Sequence, residues 1–303
     1  MLANDPLTVE VTEIYKSFGP TQAVREVSFS VQRGEIFGLL GPNGAGKTTT
    51  IRIILDIFKA DRGRVGVFGG PMTEAKKALI GYMPEERGLY QDIPLEVCLQ
   101  YLGRLKGMTA AEIKGRLAEL LERFDLAAHK KKKVKELSKG MQQKAQMITT
   151  ILHRPELIIV DEPFAALDPV NTQLVKDLMR ELCAAGATIL MSTHQLHQVE
   201  ELCDRILLID HGSNLLYGRL DQIRRQFSGN AVLVRTENEI PALAGVEEIV
   251  HHNRSIRLNL AKGATPQEVL KALLEAQVVI EKFELAVPSL DEIFVRVVKG
   301  ESQ

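Results

Sequence analysis

Apolar and polar residues alternate over much of the first thirty positions of the chain. The alternating apolar residues are Val9, Val11, Val27, Phe29 and Val31. A period of two is typical of antiparallel strands that bury one face. The segment Ile36–Leu40 is instead a nearly continuous apolar run, which predicts a short strand buried on both faces.

A glycine-rich turn follows this strand and leads into a predicted helix over Lys47–Phe58. Residues from about 91 to 150 are mostly helical in pattern, with leucines three or four positions apart, so we expect an inserted helical subdomain there. Short β-rich runs then return at Leu157–Val160, Thr188–Ser192 and Arg205–Ile209. Because helical segments separate these runs, they predict a parallel sheet with helices on its faces.

The pattern changes at Ser228–Asn230, after a predicted amphipathic helix over Leu220–Phe227. A second domain is expected to start at this break, so that the domains are residues 1–228 and 229–303. Its predicted elements are a strand at Ala231–Thr236, a helical turn near Ala242, a hairpin at Glu247–Leu260 turning at Asn253, a helix at Pro266–Ala276, a strand at Val278–Leu285 and a helix at Ser289–Val298. This β-α-β-β-α-β order predicts a small α+β domain of the ferredoxin-like type.

Composition narrows the class of protein without changing this outline. The 303 residues are 45% hydrophobic and 25% charged, which is typical of a folded globular chain and excludes a disordered or collagen-like one. A net charge of -1 gives no overall attraction to nucleic acid, and we expect none as a partner. The three widely spaced cysteines predict free thiols in a reducing compartment. No secretory signal and no apolar run of about 18 residues is visible.

The turn after the first buried strand carries the motif G-x-x-x-x-G-K-[ST]. Its residues are Gly41, Pro42, Asn43, Gly44, Ala45, Gly46, Lys47 and Thr48. Glycines at these positions let consecutive backbone N–H groups point at phosphate oxygens, at the positive end of the helix dipole. Lys47 is expected to reach the β- and γ-phosphates of a nucleotide, and Thr48 to offer its hydroxyl to Mg²⁺.

A second candidate site is the end of the apolar strand Leu157–Val160, where Asp161 and Glu162 follow directly. Two adjacent carboxylates at the end of a buried strand cost free energy unless a cation or a water molecule interacts with them. We expect Asp161 to act on Mg²⁺, directly or through water. Glu162 is expected to act as the general base that polarises the water attacking the γ-phosphate.

With these two motifs, the segment Leu137–Gln143 resembles the L-S-G-G-Q signature of the nucleotide-binding subunits of ATP-binding-cassette (ABC) transporters. The resemblance implies that Ser138, Gly140 and Met141 cap the γ-phosphate of ATP held by the opposite subunit. Lys139 and Met141 depart from the commonest form of the signature.

Further residues are matched to the family one at a time. Ala166–Asp168 resembles the loop that crosses the dimer interface, with Asp168 near the nucleotide, and His194 resembles the switch histidine that contacts the γ-phosphate. Phe18 stands where an aromatic side chain stacks on adenine, with Tyr15 as a less well placed alternative, and Thr49 extends the phosphate loop. Glu85 takes the place of a glutamine that senses Mg²⁺ and the membrane partner.

The resemblance implies an ATPase that works as a head-to-tail homodimer and energises a separately encoded membrane permease. Each ATP would lie between Gly41–Thr48 of one copy and Ser138–Met141 of the other. The chain would be cytoplasmic and peripheral on the inner face of the cell membrane. Residues 84–90 and 288–294 resemble bacterial exporters of the sodium-extrusion and drug-export types, whose ATPase chains carry a small extra domain.

Two other functions compete with this interpretation. One is an ABC-type ATPase acting in a non-transport process on nucleic acid or the ribosome, but such chains generally carry two cassettes or a long coiled coil. This chain has a single phosphate loop and no long heptad run. The other is a regulatory module that binds ATP without hydrolysing it, and the intact residues Lys47, Asp161, Glu162 and His194 argue against it.

Overall fold

The computed structural model describes residues 7–86, 88–228, 230–252 and 255–298. The chain divides into two compact units, Met1–Arg219 and Leu220–Gln303. The boundary predicted from the sequence lies after residue 228, whereas the structure places the helix that precedes this point in the second unit.

The strands of the first unit form two sheets. They are β1 (Leu7–Phe18), β2 (Thr21–Gln32), β3 (Ile36–Leu40), β4 (Arg62–Val67), β5 (Ile80–Met83), β6 (Leu157–Asp161), β7 (Thr188–Thr193), β8 (Arg205–Asp210) and β9 (Ser213–Arg219). A three-stranded antiparallel sheet has the order β2-β1-β4, and a six-stranded sheet has the order β5-β6-β7-β3-β8-β9. The larger sheet is parallel except for β9, as the buried apolar runs predict.

The helices of this unit are α1 (Lys47–Ile54), α2 (Glu74–Lys77), α3 (Leu95–Leu105), α4 (Ala110–Arg123), α5 (Lys139–Ile151), α6 (Pro169–Ala184) and α7 (Leu196–Leu202). The prediction that α1 runs to Phe58 is wrong. Asp56 adopts a left-handed conformation with φ +60°, and the N–H groups of Ile57 and Phe58 both donate to the carbonyl of Arg52. These bonds close the last turn and end the helix.

The order of the large sheet decides where the candidate residues lie. Strand β3 is buried along its whole length and pairs with both β7 and β8. In the registers of this sheet Leu40 lies opposite Thr193, and Asp161 lies opposite Ser192. The carboxyl ends of β3, β6 and β7 therefore meet at one edge, which is where open α/β sheets bind ligands.

The second unit contains α8 (Leu220–Gln226), β10 (Ala231–Arg235), β11 (Val246–His252), β12 (Ser255–Leu260), α9 (Pro266–Glu275), β13 (Lys282–Leu285) and α10 (Leu290–Val298). Its strands form one antiparallel sheet of order β11-β12-β10-β13. The last strand begins at Lys282 and not at Val278 as predicted. The predicted turn at Asn253 lies outside the described residues. None of the described helices of either unit is long and apolar enough to cross a membrane.

The helical turn predicted near Ala242 is wrong, because the segment between β10 and β11 contains no helix. Pro241 disfavours a helical conformation in the residue before it, and Gly245 is left-handed at φ +83°. Three residues between these two positions are too few to nucleate a stable helix. Ile240 and Leu243 nevertheless pack against the apolar core of the unit, so the segment keeps its hydrophobic role.

Candidate functional site

The phosphate loop lies between β3 and α1, and close backbone contacts require glycine at two of its positions. A Cβ atom at Gly41 would lie 2.1 Å from the carbonyl oxygen of Ile209, and one at Gly46 would lie 2.5 Å from that of Ala23. Gly46 precedes the first residue of α1 with φ +105°, a conformation that favours glycine. The loop therefore curls tightly enough to direct its N–H groups inward at the start of a helix.

A polar cavity of about 300 Å³ opens above this loop. It is lined by Ala23, Asn43, Gly44, Ala45, Gly46, Lys47, Thr48, Thr49, Glu85, Asp161 and Glu162. The structure thus brings together most of the predicted phosphate-binding residues, all three predicted Mg²⁺ ligands and the predicted general base. Gly41 and Pro42 belong to the same loop but do not line the cavity. Their carbonyl oxygens accept hydrogen bonds from Lys47.

Lys47 is buried over the phosphate loop. Its Nζ donates to the carbonyl oxygens of Gly41 at 2.8 Å and Pro42 at 3.1 Å. Burial lowers the pKa of this ammonium group, while the nearby carboxylates of Glu162, Asp161 and Glu85 act in the opposite direction. A buried cation whose partners are two neutral carbonyl groups is well placed to exchange them for the charged oxygens of a phosphate.

The Asp161 carboxylate is buried at the end of β6 and is held on both oxygens. Thr48 Oγ1 donates to Oδ2 at 2.8 Å, and the Ser192 hydroxyl donates to Oδ1. Thr48 and Asp161 lie 113 residues apart in sequence. Their pairing places a hydroxyl and a carboxylate side by side in the lining of the cavity, to which Glu85 also belongs.

Glu162 is held in an unusual backbone conformation. Its φ is +52°, and left-handed non-glycine residues cost of order 1–3 kcal/mol, which surrounding contacts must offset. Its Oε2 accepts from Thr193 Oγ1 at 3.0 Å, and its Oε1 accepts from the backbone N–H of His194 at 3.0 Å. His194 Nδ1 lies 2.7 Å from the same Oε1. The carboxylate is therefore fixed by the end of β7.

Several predicted site residues do not line the cavity. Phe18 is 45% exposed at the end of β1, with its ring edge against Phe58 at 5.3 Å between centroids. His194 is half exposed and reaches the site only through Glu162. The alternative aromatic residue, Tyr15, donates its hydroxyl to Glu26.

The predicted signature residues and Asp168 also lie outside the cavity lining, at the starts of two helices. Ser138 caps α5, with its Oγ accepting from the backbone N–H of Met141 at 3.2 Å. Asp168 caps α6 by accepting from the backbone N–H of Asn171 at 2.9 Å. Ser138 and Asp168 are not buried. Within one copy, these residues do not line the cavity above the phosphate loop.

Three residues around the ends of β6 and β7 were not predicted from the sequence, of which two hold the carboxylates and one holds the backbone beside them. Ser192 and Thr193 end the apolar run of β7 with two hydroxyls, and this polar pair at a strand end parallels Asp161 and Glu162 on β6. Gln143 on α5 donates from Nε2 to the carbonyl oxygens of Glu162 and Pro163. A glutamine within a helix gives no local signal of such a contact.

Comparison with known proteins identifies the family of the chain. The family model described as "ABC transporter" matches residues 24–165, and the model for the C-terminal domain of DrrA1-3-like ATP-binding proteins matches residues 218–298. The ABC transporter ATP-binding protein YhaQ of Bacillus subtilis is 40% identical over 288 residues, covering 94% of this chain and 96% of that protein. The chain belongs to the ABC transporter ATP-binding proteins. It is the ATP-binding subunit of such a transporter and an ATPase.

Two further matches extend this result. The daunorubicin resistance ATP-binding protein DrrA3 of Streptomyces coeruleorubidus is 32% identical over 304 residues, covering 97% of this chain and 96% of that protein. A solved ATP-binding subunit of an ABC transporter is similar with a TM-score of 0.68 and 35% identity, over 73% of this chain and 93% of that chain. The ABC cassette with a small C-terminal domain, predicted from the sequence, is confirmed.

Proposed function

We propose that this subunit works as a head-to-tail homodimer and drives export by a separately encoded membrane permease at the inner face of the cell membrane. Each of two ATP molecules would lie between Gly41–Thr48 of one copy and Ser138–Met141 of the other. The signature residues at the start of α5 support this arrangement, because none of them is buried and none lines the cavity above the phosphate loop of their own chain. Export is supported by relatives named for linearmycin and daunorubicin resistance and for Nod factor export.

The observation that carries the hydrolytic mechanism is the fixed carboxylate of Glu162 at the wall of the cavity. Thr193 and His194 hold both of its oxygens, so the group is oriented before a nucleotide arrives. Glu162 takes the proton of a water molecule as that water attacks the γ-phosphorus. The bond from the γ-phosphorus to the bridging oxygen breaks, and ADP leaves with that oxygen.

Lys47 binds the β- and γ-phosphate oxygens in place of the two loop carbonyls. Thr48, Asp161 and Glu85 line the same cavity and offer hydroxyl and carboxylate oxygens, which are the donors that Mg²⁺ prefers. We assign the Mg²⁺ site to these three residues. When bound, the ion neutralises charge on the phosphates.

The remaining assignments concern Thr49, which lines the cavity, and residues that do not line it. His194 acts by holding the Glu162 carboxylate and by contacting the γ-phosphate, and Thr49 contributes to the phosphate loop. Phe18 stacks on the adenine ring, and it is 45% exposed at the end of β1. Asp168 contributes to nucleotide binding from the loop that faces the second copy.

The test is the substitution Glu162→Gln. An amide keeps the size of the side chain but is not a base, so kcat for ATP hydrolysis should fall about 100-fold or more while ATP affinity is retained. An ATP-bound dimer should then accumulate, which gel filtration with ATP detects.

The matched control is Glu156→Gln. Glu156 precedes the same strand, its side chain is 44% exposed and it pairs at the surface with Arg33, so loss of this carboxylate should leave kcat unchanged. Near wild-type turnover by Glu162→Gln would contradict the assignment of the general base.

A further inference from the structure

Gln143 is a buried amide that joins α5 to the end of β6. The side chain is 7% exposed, and its Nε2 donates to the carbonyl oxygens of Glu162 at 3.2 Å and Pro163 at 3.3 Å. It is not one of the residues that line the nucleotide cavity. Its two acceptors belong to the residue that carries the general base and to the next residue.

The backbone that Gln143 contacts is a strained turn. Glu162 and Ala166 are both left-handed, with φ of +52° and +62°. The turn is also held by a bond from the N–H of Ala165 to the carbonyl of Glu162 at 3.2 Å. Strained non-glycine residues keep such conformations only when the surrounding contacts over-determine them.

A second contact brings the start of α5 against this same turn. A Cβ atom at Gly140 would lie 3.1 Å from the carbonyl oxygen of Ala166. The helix therefore approaches both ends of the turn, with the Gln143 side chain at Glu162 and the Gly140 backbone at Ala166.

We propose that Gln143 is a positioning residue for ATP hydrolysis, which holds the backbone of Glu162 in the conformation that directs its carboxylate into the site. This inference rests on the role of Glu162 as general base. The helix that carries the signature residues thereby also sets the geometry of the base of its own chain.

The physical argument concerns the direction of the Glu162 side chain. A left-handed residue that relaxes to an extended conformation rotates its Cα–Cβ bond relative to the strand. The carboxylate would then lose its bonds to Thr193 Oγ1 and to the N–H of His194. Without the amide of Gln143, two buried carbonyl groups each lose a hydrogen-bond donor. This loss favours relaxation of the turn.

The test is Gln143→Met, which keeps the length of the side chain and removes the donor. We expect kcat for ATP hydrolysis to fall about tenfold or more, since a displacement of about 1 Å in a catalytic group has effects up to 100-fold. The dissociation constant for ATP should stay within about twofold of the wild type, because Gln143 does not line the cavity.

The matched control is Arg116→Met. Arg116 Nη2 donates to the carbonyl oxygen of Ile151, at the other end of the same helix, so this variant also removes a side-chain bond to a backbone carbonyl. It should lower the midpoint of thermal unfolding but leave kcat unchanged. Equal losses of kcat in the two variants would mean that Gln143 is only structural and would overturn the proposal.

A second measurement separates this proposal from the role of the signature residues in dimer formation. The double variant Gln143→Met with Glu162→Gln should form the ATP-bound dimer as well as Glu162→Gln alone, by gel filtration. Loss of the dimer in the double variant only would show that Gln143 acts through the signature surface, against the proposal. High turnover by Glu162→Gln alone would instead overturn the proposed function itself.

Discussion

The two units of this chain differ in what they bury. In the part of the chain that the structure describes, every buried polar or charged side chain lies in the first unit, among them Lys47, Asp161, Glu162 and Lys176. The core of the second unit is apolar throughout these residues, formed by Val232, Val234, Ile256, Leu258, Leu260, Val269, Leu273 and Val278. Burying a polar group costs free energy unless the group forms hydrogen bonds or takes part in binding or catalysis.

This difference indicates where chemistry takes place. The first unit buries carboxylates and an ammonium group at the edge of a parallel sheet, where they meet at a cavity. In the described residues of the second unit, the buried side chains are apolar and contribute packing, as expected for a module that contributes no reacting group. We therefore expect changes in the second unit to affect stability without affecting nucleotide binding.

The largest expected effect on stability tests this separation directly. Leu258→Ala removes a fully buried side chain from β12 and should destabilise the second unit by about 2–5 kcal/mol. Nucleotide affinity of the first unit should stay unchanged at temperatures well below unfolding. Leu207→Ala, at an equally buried position on β8, is the counterpart in the first unit and should weaken nucleotide binding as well as stability. Loss of nucleotide binding by Leu258→Ala would break the comparison.

A smaller change should affect only the site. Lys47→Ala removes charge-assisted hydrogen bonds worth about 1.5–3 kcal/mol each, so ATP affinity should fall at least tenfold. Isothermal titration with ATP measures this. Lys271→Ala, an exposed lysine on α9 in the second unit, serves as the control and should bind ATP normally. Unchanged affinity in Lys47→Ala would exclude the loop as the phosphate site.

Acid should lower the stability of the first unit. Burial lowers the pKa of His153 to about 4, helped by Lys106, although the ring contacts the carbonyl of Ile80 at 3.1 Å. An unfolded histidine has a pKa of about 6.5, so between pH 6.5 and 4 the unfolded chain binds a proton that the folded chain does not. Stability is therefore lost as the pH falls through this window, by about 1 kcal/mol per pH unit for a partly exposed ring.

The variant His153→Gln isolates this effect, because glutamine does not titrate. Urea unfolding at pH 7 and pH 5 should show a flatter dependence on pH in the variant than in the wild type. Parallel dependences in the two proteins would show that the burial of His153 is not a source of acid sensitivity.

The smallest effects come from two helix caps, one in each unit. Ser138 caps α5 by a bond to the N–H of Met141, and Thr265 caps α9 by a bond to the N–H of Glu268. Substituting either residue with alanine should cost about 1 kcal/mol. Only Ser138→Ala should also lower ATP turnover, since only this cap belongs to the signature. Steady-state ATPase assays and thermal unfolding of both variants provide the comparison, and an equal loss of turnover would contradict it.

The sequence predicted the strands that are buried on both faces and the motifs attached to their ends. It did not predict β4, β5 or β9, at Arg62–Val67, Ile80–Met83 and Ser213–Arg219. These strands form at the edges of their sheets and are stabilised by pairing with neighbours. β4 pairs with β1 although several of its residues are exposed. Propensity for a strand depends on such context, so a local pattern is a weak signal there.

The sequence by itself determined the chemistry of the site. The spacing of Gly41–Thr48, the carboxylates after Leu157–Val160 and the helix signals around Ser138 are all local, and local patterns specify turns, caps and buried strands.

Only the tertiary structure decided which of these residues act together. The order β6-β7-β3 brings Thr48 to Asp161 across 113 residues and sets the hydroxyls of β7 against both carboxylates. It also places Gln143 under the strained turn at Glu162 and leaves Phe18 outside the cavity lining. Which strands become neighbours depends on contacts between distant segments, whose hydrogen bonds form only when the whole sheet assembles.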